Sequence, residues 1–148
     1  MAKTYHAPLF VRLANVLSTT MLRAGFNFVG FGSYRIYPLT VRGRKSGQPR
    51  TVPLALWERN GKRYVACQRV GNWVLNLRAA GEAILTRDRS SETVTARELS
   101  PQEAAPILRE EIKNGHPFAK IYGVTANASL EEFEDALVGR PVFLLQRK

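Results

Sequence analysis

The sequence VRGRKSGQPRTVP, residues Val41–Pro53, gathers positive charge around one turn. Its four cations are Arg42, Arg44, Lys45 and Arg50. Ser46 adds a hydroxyl, and Gly47 is free to take positive φ, which leaves nearby backbone N–H groups open. Charged donors, a hydroxyl and open amides are what a phosphate or carboxylate requires. The pattern predicts an anion site on the turn, with a plain exposed hairpin turn as the alternative.

A second stretch, CQRVGNWVLNLRAA, covers Cys67–Ala80. In this stretch a strand ends, a short turn contains Gly71, and a helix begins near Trp73. The N-terminus of a helix attracts an anionic or carbonyl group, because its backbone N–H groups and dipole point that way. Trp73 alone fits a core position equally well. Its place after the basic turn favours a role in the wall of a pocket.

Metal and nucleophile sites find little support in the sequence. The two histidines, His6 and His116, and the single cysteine, Cys67, cannot form a usual four-ligand zinc site, so we expect no metal. A Cys67–His116 pair is disfavoured, because a strand cysteine is more often a small apolar filler. No phosphate-binding glycine motif of the nucleotide-binding folds is present. The acids of the predicted helices are expected on solvated faces: Glu103, Glu110, Glu111, Glu131, Glu132, Glu134 and Asp135.

Charge is distributed unevenly along the 148 residues, whose net charge is +10. No Asp or Glu occurs before Glu58, so the N-terminal third is strongly basic. Such a segment attracts nucleic acid, an acidic membrane surface or a polyanionic small molecule. The length fits one domain, and the lone cysteine excludes an internal disulfide and suits a reducing cytosol.

The N-terminal region predicts a helix over Pro8–Ala24, followed by an irregular aromatic lead-in over Phe26–Tyr34. Polar residues interrupt the apolar stretch, so it is a poor signal peptide and a poor membrane span, which needs about 20 apolar residues. Two interpretations stay open. The helix packs on the rest of the domain, or it also touches an anionic bilayer through apolar residues beside Arg12 and Arg23.

The remaining pattern predicts a mainly β fold with flanking helices (α+β), a small antiparallel barrel in mostly meander order. The expected strands are Arg35–Arg42, Thr51–Glu58, Arg63–Gln68, Glu82–Arg87, Thr93–Glu98 and Arg140–Gln146. Helices are expected at Asn72–Ala80, from a Ser100 cap to about Asn114, and after a Ser129 cap. Pro38 indicates an edge or a bulge. We predict one domain over 1–148, with the helix and lead-in at 1–33 and the barrel at 34–148.

The segment GRKSGQPRTVPL, followed by a strand pair and NWVLNLRAA, resembles the deazaflavin-dependent nitroreductase/quinone reductase family. These are FMN-binding split-barrel-like proteins, and the resemblance extends over Tyr34–Leu99. It implies a split β-barrel of about six antiparallel strands. It also implies an oxidoreductase that uses coenzyme F-420 to transfer hydride to a quinone, an activated alkene or a nitroaromatic.

The resemblance also implies a cofactor site. The residues implied for the phosphate and acidic tail are Arg44, Lys45, Ser46, Gly47 and Arg50. The residues implied along the neighbouring strand and ring are Thr51, Pro53, Cys67, Gln68 and Arg69. Trp73 and Val74 would close the pocket. The loop between Gln68 and Trp73 is shorter than in the nitroreductases, which is typical of a branch associated with lipid-like substrates.

Catalysis in such a protein requires no side-chain nucleophile. Solvent or a tyrosine, Tyr64 or Tyr122, is expected to deliver the proton. The aromatic lead-in Phe26–Tyr34 and the segment His116–Tyr122 are expected to form acceptor walls. A homodimer fits the family, and a cytoplasmic location with peripheral membrane contact fits the basic half.

Three alternatives remain open at the level of sequence. An FMN-dependent split-barrel oxidoreductase would share the fold and the phosphate site. A non-catalytic carrier would bind the cofactor or a fatty acid without turnover. Nucleic-acid binding would use the basic half, but no recognisable nucleic-acid motif is present, so we expect no nucleic-acid partner.

Overall fold

The computed structural model describes residues 34–87, 90–115 and 119–148, together with positions 10, 12–14, 16–17 and 20. The strands are β1 Tyr34–Arg42, β2 Pro49–Arg59, β3 Lys62–Ala66, β4 Glu82–Arg87, β5 Ser90–Leu99 and β6 Val142–Arg147. The helices in these ranges are α1 Asn72–Ala80, α2 Pro101–Lys113, α3 Ala119–Tyr122 and α4 Leu130–Leu137. The predicted barrel with flanking helices is confirmed, because the six strands close in the order β1-β2-β3-β6-β5-β4 with antiparallel pairing.

The N-terminal helix is described at a few positions only. Residues 10, 12–14, 16–17 and 20 are helical, as the Pro8–Ala24 prediction requires of them. The rest of that helix and the aromatic residues 26–31 lie outside the described residues, as do residues 116–118 of the expected second acceptor wall. No helix in the described part of the chain is both long and apolar enough to cross a bilayer.

Strand β6 has a neighbouring strand on each side in the closed barrel. It lies between β3 and β5, where Phe143 is opposite Val65 on one side and Glu98 on the other. Residues 142–145 of β6 are all buried. Their unbroken apolar run, Val-Phe-Leu-Leu, is typical of a strand with neighbours on both sides and both faces covered. β6 pairs with β5, as a meander requires, and its second pairing, with β3, closes the barrel. The mostly meander order is therefore confirmed, and the departure from a strict meander is that β4 pairs with β1 and not with β3.

Local signals in the turns and caps agree with the sequence. Asn60 and Gly61 both have positive φ, 51° and 74°, and join β2 to β3 as a two-residue hairpin turn. Gly81 has φ 70° and ends α1, where its N–H donates to the Leu77 carbonyl at 2.8 Å. Ser100 begins α2 with a complete capping box to Glu103. The local chemistry of these residues thus fixes where the elements start and stop.

Pro38 lies inside the ladder between β1 and β2 and just outside the short ladder between β1 and β4. It is buried in β1 directly opposite Pro53 of β2. Proline cannot donate an N–H, so it requires a position where no neighbouring strand needs that donor. The β1–β4 ladder spans Leu39 and Thr40, and the β2–β3 ladder begins at Leu56, so both prolines lie beyond those ladders. β1 is not an edge strand of the closed barrel, but at Pro38 its side toward β4 has no ladder partner in the described ranges, which is the local edge that the proline indicated.

Two separate hydrophobic cores hold the fold. The inner core fills the barrel with side chains such as Leu39, Val65 and Phe143, and it receives Val74 and Leu77 from α1. The outer core joins α2, α3 and α4 to the outside of the barrel; its fully buried centre is Phe133. Because α1 belongs to the inner core, the loop and helix that follow the basic turn are anchored in the barrel itself.

Charged side chains also link the strands and helices. Glu92 of β5 accepts hydrogen bonds from Arg63 of β3 and Arg147 of β6, so one carboxylate ties three neighbouring strands together. Glu111 was expected on a solvated face, and that expectation is wrong. It is buried on α2, where it pairs with Arg59 at 3.5 Å, since a buried carboxylate requires a partner.

Candidate anion-binding cleft

The loop between β1 and β2 is held by its own backbone. The Gly43 N–H donates to the Gln48 carbonyl, and the Gly47 N–H donates to the Gly43 carbonyl, both at 2.8 Å. Gly47 has φ +70°, which favours glycine. A Cβ on Gly43 would lie 2.8 Å from the Ser46 Oγ and 3.2 Å from the Gln48 carbonyl oxygen, so a side chain at this position would crowd the loop backbone. The sequence pattern indicated Gly47 and missed Gly43. Glycine is favoured at position 43 because neighbouring loop atoms lie close to its Cα, and not because its φ is positive.

A cleft of about 810 Å³ opens beside this loop. Its walls come from the loop, the start of β2, the first turn of α1 and the N-terminal helix. The lining residues are Leu17, Thr20, Gly43, Arg44, Lys45, Ser46, Pro49, Arg50, Thr51, Val52, Asn72, Trp73 and Asn76. The fold therefore brings the basic turn and the first turn of α1, with Trp73, to one concavity, although about twenty residues separate them in the sequence.

The cleft carries uncompensated positive charge. Arg44, Lys45 and Arg50 line it, and no acidic residue is among the described residues of the lining. Other arginines of the domain have carboxylate partners, such as Arg78 of α1, whose Nε lies 2.7 Å from a carboxylate oxygen of Glu98 in β5. None of the ion pairs found in the described ranges involves the three cleft cations. A concave site lined by cations concentrates a positive electrostatic potential, which attracts anions.

Asn76 fixes the position of Arg44. Its Oδ1 accepts one hydrogen bond from the Arg44 backbone N–H at 3.1 Å and another from the Arg44 Nη1 at 2.8 Å. Asn76 is 6% exposed and follows Trp73 by one helical turn, so α1 holds it rigidly. Asn76 was not predicted from the sequence as a site residue. The sequence signal that could have indicated it is a polar residue on the same face of α1 as the buried residues Val74 and Leu77.

The structure brings together half of the residues implied for the cofactor. The members of that set that line the cleft are Arg44, Lys45, Ser46, Arg50, Thr51 and Trp73. The others, which lie outside the cleft lining, are Gly47, Pro53, Cys67, Gln68, Arg69 and Val74. Val74 belongs to the inner core, and Gln68 and Arg69 are exposed between β3 and α1. Contacts of this second group with a cofactor stay predictions.

Cys67 has the environment of a core residue. It is buried in the inner core, and its N–H donates to the Pro141 carbonyl at 3.1 Å. Burial raises the pKa of the thiol above its usual value, so the reactive thiolate is disfavoured. The filler interpretation of Cys67 agrees with this environment. Within the described residues, no group of three or more His, Cys, Asp or Glu side chains could hold a metal ion.

The two tyrosines considered as proton donors lie away from the cleft. Tyr64 and Tyr122 are both buried in the outer core, and Tyr64 stacks on Trp57 with ring centroids 5.6 Å apart. Burial raises the pKa of Tyr122 to about 12, so its phenol stays neutral at ordinary pH. Neither residue lines the cleft, so the structure gives no basis for a proton-donor role for either.

The N-terminal helix covers one side of the cleft. Leu17 and Thr20 contribute to the lining. At the other end of the described helical positions, the Phe10 ring lies 4.4 Å from the Arg42 guanidinium, in cation–π geometry. Arg42 also donates to the Gly47 carbonyl at 3.1 Å, so one side chain joins the helix to the basic loop.

Comparison with known proteins gives a family match and a set of related folds. The sequence matches the F420H2-dependent quinone reductase family over residues 23–129. A solved F420-H2 dependent reductase (FDR-A) is 25% identical, with a TM-score of 0.54 over 75% of this chain and 93% of its own. A structure described as a domain-swapped dimer is 21% identical, with a TM-score of 0.56 over 99% of this chain and 100% of its own.

A more distant relative has the same fold. An FAD-binding protein from Mesorhizobium loti is 15% identical, with a TM-score of 0.50 over 90% of this chain and 88% of its own. No match was found among curated proteins. The likeness to the dimer and to the FAD-binding protein supports the fold alone, at this level of identity.

Proposed function

Because the chain belongs to the F420H2-dependent quinone reductase family, we propose where this F420-dependent reductase holds its cofactor and how its residues serve the reaction. The cofactor is bound in the cleft between the Gly43–Gln48 loop and α1. A small-molecule acceptor, which is a quinone, an activated alkene or a nitroaromatic, is reduced beside it. The observation that carries this proposal is that three cations surround one concavity and that none of them has a carboxylate partner among the described residues.

The cleft has the volume of an ordinary ligand pocket and the positive charge that the anionic groups of coenzyme F-420 require. Its volume of about 810 Å³ lies in the range of known ligand pockets, roughly 300–1,000 Å³. Coenzyme F-420 carries a phosphodiester and a glutamate tail, so it presents several negative groups. Arg44, Lys45 and Arg50 would hold these groups through charge-assisted hydrogen bonds, with the Ser46 hydroxyl beside them. FMN carries less negative charge on its tail and is the second candidate.

The protein contributes position and electrostatics. When bound in its reduced form, the deazaflavin supplies the hydride. Trp73 provides a flat apolar wall, and its ring packs against Phe143 of the inner core at 6.2 Å between centroids. A rigid wall holds ligand and acceptor in one orientation, which lowers the entropic part of the barrier. Solvent is the proton source that remains, because Tyr64 and Tyr122 lie in the outer core.

The test is a titration of the purified protein with coenzyme F-420 and with FMN. Lys45→Ala and Arg50→Ala are each expected to weaken F-420 binding by about 1.5–3 kcal/mol, the usual loss for a charge-assisted contact. Lys62→Ala is the matched control, since Lys62 is an exposed cation on β3 outside the cleft lining. Unchanged F-420 affinity in both cleft variants would remove this site assignment.

Turnover separates the reductase from its alternatives. Oxidation of reduced F-420 on adding menadione is expected from the reductase. A non-catalytic carrier of the cofactor or of a fatty acid would bind without this oxidation. Yellow colour that stays with the protein on purification would favour the FMN-dependent alternative.

Peripheral membrane contact is a further part of the proposal. Val16 is 60% exposed and Leu13 is also exposed on the N-terminal helix, where Arg12 adds an exposed cation. Basic residues beside exposed apolar ones are typical of helices at anionic interfaces. We expect co-sedimentation with anionic vesicles at low salt and less of it after Val16→Glu. Absence of sedimentation at low salt would reject the membrane contact. It would also reject the inner face of the plasma membrane as the location of the protein, and a lipid-like acceptor taken from that membrane.

Domain organisation and oligomeric state complete the proposal. Residues 1–148 form one split-barrel domain, and the protein forms a homodimer. The molar mass in solution, measured by light scattering, distinguishes a dimer from a monomer.

A further inference from the structure

A pair of hydroxyls connects the wall of the cleft to the interior of the protein. Thr40 of β1 and Thr51 of β2 are directly opposite each other, and their Oγ1 atoms are 2.6 Å apart. That distance is normal for a hydrogen bond between two hydroxyls. Thr40 is 0% exposed, whereas Thr51 is half-buried and lines the cleft. The pair therefore has one buried member and one member that a ligand can reach.

The burial of Thr40 decides which hydroxyl donates. Within the part of the chain that the structure describes, Thr51 Oγ1 is the one hydrogen-bond partner of the Thr40 hydroxyl. A buried O–H that fails to donate loses its hydrogen bond in a place that water cannot reach, which is strongly unfavourable. The favoured arrangement therefore has Thr40 donating and Thr51 accepting. The proton of Thr51 is then left for a different acceptor.

We propose that Thr40 is a positioning residue that makes Thr51 a fixed hydrogen-bond donor toward an acceptor oxygen of the ligand in the cleft. This inference rests on the proposed function, because the ligand in question is the F-420 bound there. A carbonyl, phosphate or hydroxyl oxygen can accept from Thr51. The neutral donor adds direction to a site whose cations, Arg44, Lys45 and Arg50, supply mainly charge.

The experiment is a double-mutant cycle on F-420 affinity, measured by direct titration without turnover. Thr51→Val is expected to weaken binding by about threefold to tenfold, the usual loss of one hydrogen bond. Thr40→Val is expected to weaken binding by about twofold to fivefold, although Thr40 does not touch the ligand, because Thr51 is then free to turn. The double variant is expected to bind like Thr51→Val alone, since the two residues act as a unit.

A third variant separates positioning from packing. Thr40→Ser removes a methyl group and keeps the hydroxyl, so it is expected to bind F-420 like the wild type. Valine at 40 keeps the shape and favours a strand, so the fold is expected to persist in Thr40→Val. A cavity effect would instead weaken Thr40→Ser and spare Thr40→Val, which would overturn the inference.

The remaining outcomes are also decisive. Wild-type affinity in Thr51→Val, or wild-type affinity in Thr40→Val, would overturn the role of the pair while the cofactor site stands. Additive losses in the double variant would show two independent residues and would overturn the coupling. If the wild type does not bind F-420 at all, the proposed function fails and this inference fails with it.

Discussion

Replacing Asn76 by leucine is expected to lower the affinity for coenzyme F-420 by at least about tenfold, and to destabilise the fold by about 1–3 kcal/mol. Leucine keeps the size of the side chain and removes both hydrogen bonds from Asn76 Oδ1 to Arg44. The Arg44 N–H then lacks its acceptor in a part-buried place, and the Arg44 guanidinium is no longer held beside α1. Affinity falls because an ordered cation becomes a mobile one.

Two further variants separate geometry from charge at this position. Asn76→Asp keeps an acceptor oxygen in the place of Asn76 Oδ1, so stability is expected to be retained. Its negative charge offsets one cation of the cleft, so F-420 affinity is still expected to fall. Leu75→Ala is the control, since Leu75 is a partly exposed neighbour on α1 that does not line the cleft. The measurements are F-420 titration and urea unfolding. Wild-type affinity in Asn76→Leu would contradict the role assigned to Asn76.

Replacing Phe133 by alanine is expected to lower the free energy of unfolding by about 3–5 kcal/mol, the usual loss for a large aromatic in a core. Phe133 is 0% exposed on α4 and packs in the outer core with Leu108 and Leu137. Removing the ring leaves a cavity between α2, α4 and the barrel, which the rigid strands cannot close. This is the largest loss of stability that we expect from a single substitution here.

The same variant tests whether the two cores act independently. The cleft rests on α1 and the inner core, so the folded fraction of Phe133→Ala is expected to bind F-420 with wild-type affinity. Val138→Ala is the control, since Val138 is 71% exposed at the end of α4, and a surface change of this kind alters stability by about 0.5 kcal/mol or less. A weakened F-420 affinity in Phe133→Ala would show that the cores are coupled.

Local chemistry made much of the fold predictable from the sequence. Asn60-Gly61, the Ser100 capping box and Gly81 each act on the few residues around them, and each is found where the sequence placed it. The basic turn was predictable for the same reason, since its cations and Gly47 lie within a few residues. Such signals need no knowledge of which strands are neighbours.

Contacts between distant parts of the chain were not predictable in this way. Asn76 and Arg44 are 32 residues apart, and their bond exists only because α1 packs on the β1–β2 loop. The position of β6 follows from closure of the barrel, which no local pattern records. Tyr64 and Tyr122 have the chemistry of proton donors, but the outer core encloses both of them. Function depends on which cavity a side chain reaches, and that is settled by tertiary packing.

The position of β6 between β3 and β5 has a consequence for the synthesis of the protein on the ribosome. β3 and β5 are made earlier, but each keeps one unpaired edge until β6 has emerged from the exit tunnel. An unpaired edge is a template for another chain. Every nascent chain therefore passes through a period in which it is open to association with its neighbours on a polysome, and the period ends with the insertion of one buried strand.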